Sequence, residues 1–348
     1  IPYFENIVPG LAGTYSVLGV NTVLTATQAA YRRVAFSSVG GRNTTDYTFV
    51  QLLWDDGLGF GNNLFFHPQY AAFVALSSLG ESDYHSMQVS FRKRLSKDFG
   101  FDLNYTYGHS LDTASGNETT GSGYGGTLIL NPLVLRENRG NSDFDIRHIV
   151  NFNYLYGLPF GRGKRFMGNA GRVSNGILGG WQLTGIFRFN TGLPSGQPYD
   201  DARWATNWNV QSNTVALTGL QTSPTRSGEP NLFGDPVAAY RAYRSANPGE
   251  AGNRNILRDQ SYIVMDAGLY KAFNLDENKK IVFRWEVFNV TNTQRLTGVD
   301  GDGFGLPRDP FLYNPSTGAG NPPPSTFGNL TAIQGTPRIM QFALRFEF

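Results

Sequence analysis

Cysteine is absent from the 348 residues, which rules out a disulfide framework and any Cys-ligated zinc or iron–sulfur site. Charge is scarce as well: charged residues make up 16% of the chain and the net charge is only +2, so no nucleic-acid partner is expected. No run of about eighteen consecutive apolar residues occurs, which excludes an ordinary membrane-spanning helix. Catalytic signatures are missing too. The four histidines, His67, His85, His109 and His148, stand without metal-ligand spacing, and neither HExxH nor GxSxG is present. No metal, no cofactor and no enzymatic activity are expected. The chain opens Ile1-Pro2-Tyr3 with neither initiator methionine nor export signal, so a mature product or a fragment is expected.

What remains is strand, turn and loop chemistry: aromatics at 14% and 42 glycines, with little of the Lys, Glu and Ala that fill soluble helices. The last eleven residues, RIMQFALRFEF, are the clearest stretch. Met340, Phe342, Leu344, Phe346 and Phe348 alternate with Gln341, Ala343, Arg345 and Glu347, and only a β-strand has that period. A sandwich edge strand is one reading, but an aromatic ending with no polar tail is unusual on a water-facing edge. A closing strand of an outer-membrane barrel fits better, with lipid outside and a polar lumen inside. The slightly negative mean hydropathy is no objection, because a barrel hides its apolar residues by alternation.

The same period recurs upstream. Met87, Val89 and Phe91 alternate with Gln88, Ser90 and Arg92, and after Ser96-Lys97-Asp98 the set Phe99, Phe101, Leu103, Tyr105 and Tyr107 alternates with Gly100, Asp102, Asn104 and Thr106. Further strands are expected over Val150–Leu158, Trp181–Asn190, Ile263–Phe273 and Ile281–Val287. With the terminal strand they predict an all-β, antiparallel transmembrane barrel, here an incomplete curved sheet of about seven to ten strands. Residues 1–83 alternate poorly and read as mostly extracellular loop, with local order around 25–33 and 47–54; residues 84–348 read as barrel strands.

Connection length alternates in step. Short turns follow the first, third and fifth strands, and long loops fall at about 110–146, 192–260 and 292–337, the arrangement of barrels with short periplasmic turns and long extracellular loops. The two phases also sort charge. Arg188, Arg284, Glu286 and Arg345 fall on the polar phase and are expected in the lumen. Phe101, Tyr105, Phe152, Tyr154, Leu183, Phe187, Phe283, Trp285, Phe342 and Leu344 are expected to face lipid. A charge at mid-membrane on that side would cost roughly 2–4 kcal/mol. Lys93 and Lys271 break the rule near strand ends, where their stems could snorkel to headgroups.

Several runs together resemble one family: Tyr84-His85-Ser86-Met87-Gln88-Val89-Ser90-Phe91-Arg92-Lys93-Arg94, Asn104-Tyr105-Thr106-Tyr107, Ser142-Asp143-Phe144-Asp145-Ile146-Arg147-His148, Leu158-Pro159-Phe160-Gly161-Arg162-Gly163, Gly179-Gly180-Trp181-Gln182-Leu183, Arg284-Trp285-Glu286-Val287-Phe288-Asn289-Val290-Thr291-Asn292 and the terminal Phe. In order and spacing they resemble the C-terminal barrel portion of an Oar-like TonB-dependent outer-membrane receptor, of the branch that carries a carboxypeptidase-regulatory-like domain. Asn6–Gly10 and Thr25–Tyr31 resemble a stretch of an extracellular loop in that family. The resemblance implies a barrel of about 22 strands around a plug, a TonB box upstream, and substrate-gated uptake driven by TonB. The terminal strand itself resembles the C-terminal insertion signal of bacterial outer-membrane barrels, which implies insertion by the barrel-assembly machinery through Phe342, Leu344, Phe346 and Phe348. Residues 1–348 show neither plug nor TonB box, so TonB is expected as a partner only through upstream segments.

Candidate ligand contacts lie in the longest loop. Tyr199, Asp200, Asp201, Trp204 and Trp208 place aromatics beside carboxylates, which suits a small ligand, peptide or glycan; such residues also pack loops onto themselves. Asp235-Pro236 begins a capped helix expected over 237–246. Asp300-Gly301-Asp302-Gly303 could seed a calcium loop but lacks the bidentate Glu, so a plain turn is preferred. Asp83 and His85 share a strand face and could form an acid–base pair at the rim, a loop-end hydrogen bond being the bland alternative. Gly157–Arg165 lacks the spacing of a phosphate loop and reads as a basic periplasmic turn. An adhesin or structural barrel without transport, and less readily a rim-sited hydrolase, are the alternatives to a transporter.

Overall fold

The computed structural model describes residues 4–7, 9–17, 19–29, 78–115, 129, 134–196, 199–200, 212–226, 228–244, 251–276, 278–299, 313–314, 319–320 and 324–348. Seven long strands form one sheet: β1 (Ser82–Ser96), β2 (Phe99–Asp112), β3 (His148–Gly157), β4 (Trp181–Asn190), β5 (Tyr262–Asn274), β6 (Lys280–Phe288) and β7 (Ile339–Glu347). Each pairs antiparallel with its neighbours in chain order, and Gly140–Asn141 adds a short rung beside the end of β2. The shortest of the seven has 9 residues, about the length a tilted strand needs to cross a bilayer.

Register carries one alternation across the whole sheet. Residues directly opposite in neighbouring strands share a face, and one row runs Phe342, Trp285, Leu269, Leu183, Tyr156, Phe99. The next row runs Gln341, Glu286, Gly268, Thr184, Leu155, Gly100, and a third runs Val264, Arg188, Asn151, Asn104, Ser90. The ladder of β1 with β2 shifts register between Lys93 and Ser96, at the hairpin end and beyond these rows; a slip of one residue within them would have mixed the phases. Aromatic pairs knit the apolar phase: Trp285 stacks on Phe342 at 5.8 Å and Phe99 meets Tyr156 edge-on at 5.8 Å. Gly185 leaves room there for the Tyr154 ring, which lies within 2.4 Å of where a Cβ would stand.

The tightest turn is Lys97-Asp98, both at positive φ (50° and 65°), as a two-residue type I′ hairpin requires. Connections 97–98, 158–180 and 275–279 lie at one end of the sheet; 113–147, 191–261 and 289–338 lie at the other. β1 and β7 are the two edges, and no ladder joins them among the described residues. The sheet is therefore open.

Within residues 1–83, Gly13–Val17 pairs with Val20–Leu24 around Gly19 (φ 83°), strands too short for alternation to reveal. The local order expected from residue 25 is a helical turn over residues 26–29, where Thr25 and Gln28 exchange side-chain-to-backbone bonds at 3.0 and 3.2 Å, a capping box; the order expected around 47–54 lies outside the described residues. Other expectations need correction. The basic connection after β3 is more than a turn, because it contains a helix, Arg172–Leu178. The helix begun by Asp235 does form, with its carboxylate accepting from the Val237 and Ala238 amides at 3.0 Å. It stops at Arg241, since Tyr243–Arg244 pairs with Val215–Ala216. Lys271 is buried where an extended stem was expected, and Lys93 turns toward the hairpin end of its strand. Lys93 Nζ donates to the Phe99 carbonyl at 2.9 Å; Lys271, 2% exposed, donates to the Gly179 carbonyl between the rings of Trp181 and Phe273. A carbonyl acceptor and two aromatic faces offset the burial of the Lys271 ammonium.

Candidate functional site

The polar phase bounds a hollow of about 610 Å³, with Arg92, Asp102, Asn153, Thr184, Asp266 and Glu286 in its wall. Several of its polar side chains are engaged. Arg92 Nε meets Asp102 at 2.9 Å, Ser90 donates to Asn104 at 2.7 Å, and Asn104 donates to Asp102. Asp266 accepts from the Asn289 amide at 2.8 Å and so caps the exit of β6. Of the charges expected on this phase, Glu286 accepts from Gln341. Arg284 lies over Tyr270, Arg345 sits 3.5 Å from Glu347, and Arg188 is exposed opposite Asn151. Phe342, Leu344, Phe346 and Phe348 are exposed on β7 and just beyond it.

At the end of the sheet that carries the long connections, β2 and β3 rise into an ionic collar. The carboxylate of Asp145 is 1% exposed. It accepts from the Ser110 amide at 2.6 Å, from Arg147 Nε at 2.8 Å and from Arg258, whose guanidinium also reaches the Asp145 carbonyl at 2.6 Å. Burial alone would push the Asp145 pKa up, but these donors prevail and hold it below the usual carboxylate range. Arg147 also donates at 2.8 Å to His109 Nε2 and to Asn141 Oδ1. Beside it Asp112 binds Arg254 and accepts from Ser115 at 2.7 Å. Asn255 and Asn141 exchange bonds of 2.8 Å between side chain and backbone. The segment 251–259 of the longest connection is thereby fixed across β2 and β3. Gly140 admits it closely, since a Cβ there would stand 2.8 Å from the Arg254 carbonyl.

Farther out, two connections share an apolar core. Leu232, Phe233, Tyr240, Tyr243 and Leu257 of one meet Phe327 and Leu330 of the other; Phe233 stacks on Phe327 at 5.9 Å, and Asn231 donates to the Phe327 carbonyl at 2.7 Å. Burial raises the Tyr243 phenol to about 12. Asp259 lies beneath, its pKa raised by burial despite Arg295 and a 3.4 Å bond from Thr297.

Of the candidate ligand residues, Tyr199 and Asp200 lie in a two-residue ladder with Ser212–Asn213; Asp201, Trp204 and Trp208 fall outside the described residues, as does Asp300–Gly303. Asp83 pairs with Arg139. Sequence reasoning missed the collar. Its one signal was the run Asp143–His148, which stood out by resemblance with no role assigned, while Arg254 and Arg258 gave none.

An open antiparallel sheet of long strands with one apolar and one polar face is what the wall of a transmembrane β-barrel requires. A family profile described as an outer membrane beta barrel domain matches residues 36–341. The chain belongs to that family, and its place is the bacterial outer membrane. No curated protein and no solved structure matches it.

Proposed function

We propose that this wall is the barrel portion of a TonB-dependent receptor that admits a small ligand, peptide or glycan. In this reading the long connections are extracellular, the short ones periplasmic, the polar phase faces the lumen, and β7 presents the apolar ending that the barrel-assembly machinery recognises. The observation that carries it is that an ion-paired collar and an apolar core shared by two connections both lie at the long-connection end of a sheet whose other phase bounds a hollow. A gated uptake route needs such a fixed outer vestibule over a hydrated passage. The motifs that resemble Oar-like receptors run through the same strands. Transport itself would be energised through segments other than those described.

The reading frame upstream of Ile1 is the direct test. The expected result is a plug domain preceded by a TonB box, with cross-links to TonB from that box in cells. A frame without a plug overturns transport and leaves an adhesin or structural barrel, which needs only the long connections. Sidedness is tested separately on intact cells. A cysteine at Leu217, in the connection 191–261, is expected to react with an impermeant thiol reagent, and one at Asn169, in the connection 158–180, is expected to stay unlabelled until the cells are opened.

A further inference from the structure

The connection 158–180 has features that neither strand formation nor transport explains. It contains no acidic residue but carries Arg162, Lys164, Arg165 and Arg172. It also shows apolar side chains to the outside. Phe160 and Phe166 stack at 5.4 Å and both are exposed, as is Met167. In the helix Arg172–Leu178, Val173 and Ile177 are 75% and 59% exposed. Four residues apart, they share one helix face. The opposite side is the one that docks: Asn175 Oδ1 accepts from the Arg162 amide at 2.6 Å. The helix therefore turns its polar side inward and its apolar side outward, the reverse of a helix that faces only water.

Its position gives the reason. Trp181 begins β4 on the apolar phase, and its Nε1 donates to the Ile177 carbonyl at 3.0 Å. The helix end is thus tied to a side chain at the edge of the lipid-facing surface, in the place where Trp residues form interfacial belts. Lys164 is consumed by Asp98, whereas Arg165 and Arg172 make no ion pair among the described residues. We propose that the connection 158–180 is a seat for anionic phospholipid headgroups of the periplasmic leaflet, with Val173, Ile177 and the Phe160–Phe166 pair inserted among the upper acyl carbons and Arg165 and Arg172 on the phosphates. A soluble protein partner would also cover apolar side chains, but it would not require them to continue the lipid-facing surface through Trp181. The proposal rests on the sidedness given above, which the whole-cell labelling tests independently, and not on transport.

The test uses the polypeptide as the cell makes it, reconstituted in vesicles, with an environment-sensitive fluorophore on single cysteines placed by Val173→Cys, Ile177→Cys and Gln182→Cys; Gln182 lies on the polar phase of β4 beside Trp181. Each variant is first checked for heat-modifiable migration on a semi-native gel. In phosphatidylethanolamine–phosphatidylglycerol vesicles, brominated lipid is expected to quench the probes at 173 and 177 at least about twofold more than the probe at 182. In phosphatidylcholine vesicles the excess quenching is expected to shrink, and Arg165→Gln with Arg172→Gln is expected to erase the difference between the two lipids, each basic residue contributing roughly fivefold to the seating. Quenching at 173 and 177 no greater than at 182 overturns the proposal and leaves the surface to a soluble partner. Equal quenching in the two lipids overturns the headgroup assignment.

Discussion

Arg258 binds both the carboxylate and the backbone carbonyl of Asp145, a residue 113 positions earlier in the chain. One side chain thus joins the longest connection to the approach of β3, and the carboxylate it neutralises is shut off from water. Breaking such a pair by removing one partner costs about 3–5 kcal/mol, because the remaining charge is buried unpaired. Arg258→Met is expected to fall at the lower end, about 3 kcal/mol, since Arg147 and the Ser110 amide still hold Asp145. The measurement is hydrogen exchange at Ala251–Asp259, where protection should drop about 100-fold while the strands keep theirs. Adding Asp145→Asn should restore part of the loss. Unchanged exchange would mean the collar does not fix this segment.

The collar also makes the outer structure sensitive to acid. The Asp145 pKa is lower folded than unfolded, so its stabilisation is present above about pH 4, where the unfolded carboxyl ionises, and is lost as pH falls through the lower folded value. Asp259 has the opposite sign: its pKa is raised, so its contribution favours the folded form in acid and is lost as pH rises through the folded value. Protease resistance of the 191–261 connection, followed from about pH 3 to pH 7, should fall at the acid end in the parent. Asp145→Asn should flatten that limb, and Asp259→Asn should leave it. Acid sensitivity that survives Asp145→Asn would assign the effect elsewhere.

The strands and their two faces were legible because alternation is a local signal that a half-lipidic wall must keep at every strand. All seven strands fall where Met87–Phe91, Phe99–Tyr107 and their successors predict, to within a few residues at the ends. The collar was not legible. Asp112 and Arg254 are 142 positions apart, and isolated charges in irregular connections carry no period to betray a partner. The helix Arg172–Leu178 escaped for a different reason: Asn175 and Gly176 interrupt a short run, and its apolar side faces outward, so the usual link between apolar spacing and burial is inverted. The Lys271 ammonium, caged by Gly179, Trp181 and Phe273, likewise depends on a connection whose course the strand pattern does not fix.

Which face meets lipid is open to a direct chemical test, because residues 1–348 contain no cysteine. Glu286→Cys and Arg284→Cys, on the polar phase, are expected to react with a water-soluble thiol reagent in membranes. Phe283→Cys and Trp285→Cys, one residue away on the apolar phase, are expected to be protected at least about tenfold, since a thiol in hydrocarbon neither ionises nor meets the reagent. Labelling at Phe283 and Phe342 with protection at Glu286 and Arg345 would invert the assignment.

The remaining prediction concerns the two edges. β1 and β7 each present a row of backbone N–H and C=O groups with no partner strand among the described residues, and in hydrocarbon each unsatisfied group costs several kcal/mol. Nothing on the apolar phase can offset a whole strand of such groups, because lipid tails give apolar side chains no driving force to associate. The open sheet therefore needs further strands to close it. The described part of residues 30–95, from 78 onward, offers β7 no ladder, so the described residues form no small closed barrel. A polypeptide restricted to residues 1–348 is expected to aggregate, showing no heat-modifiable band on a semi-native gel in detergent or vesicles. A stable, folded monomer from the restricted polypeptide would show that β1 and β7 find partners within it, and the open-edge argument would fail.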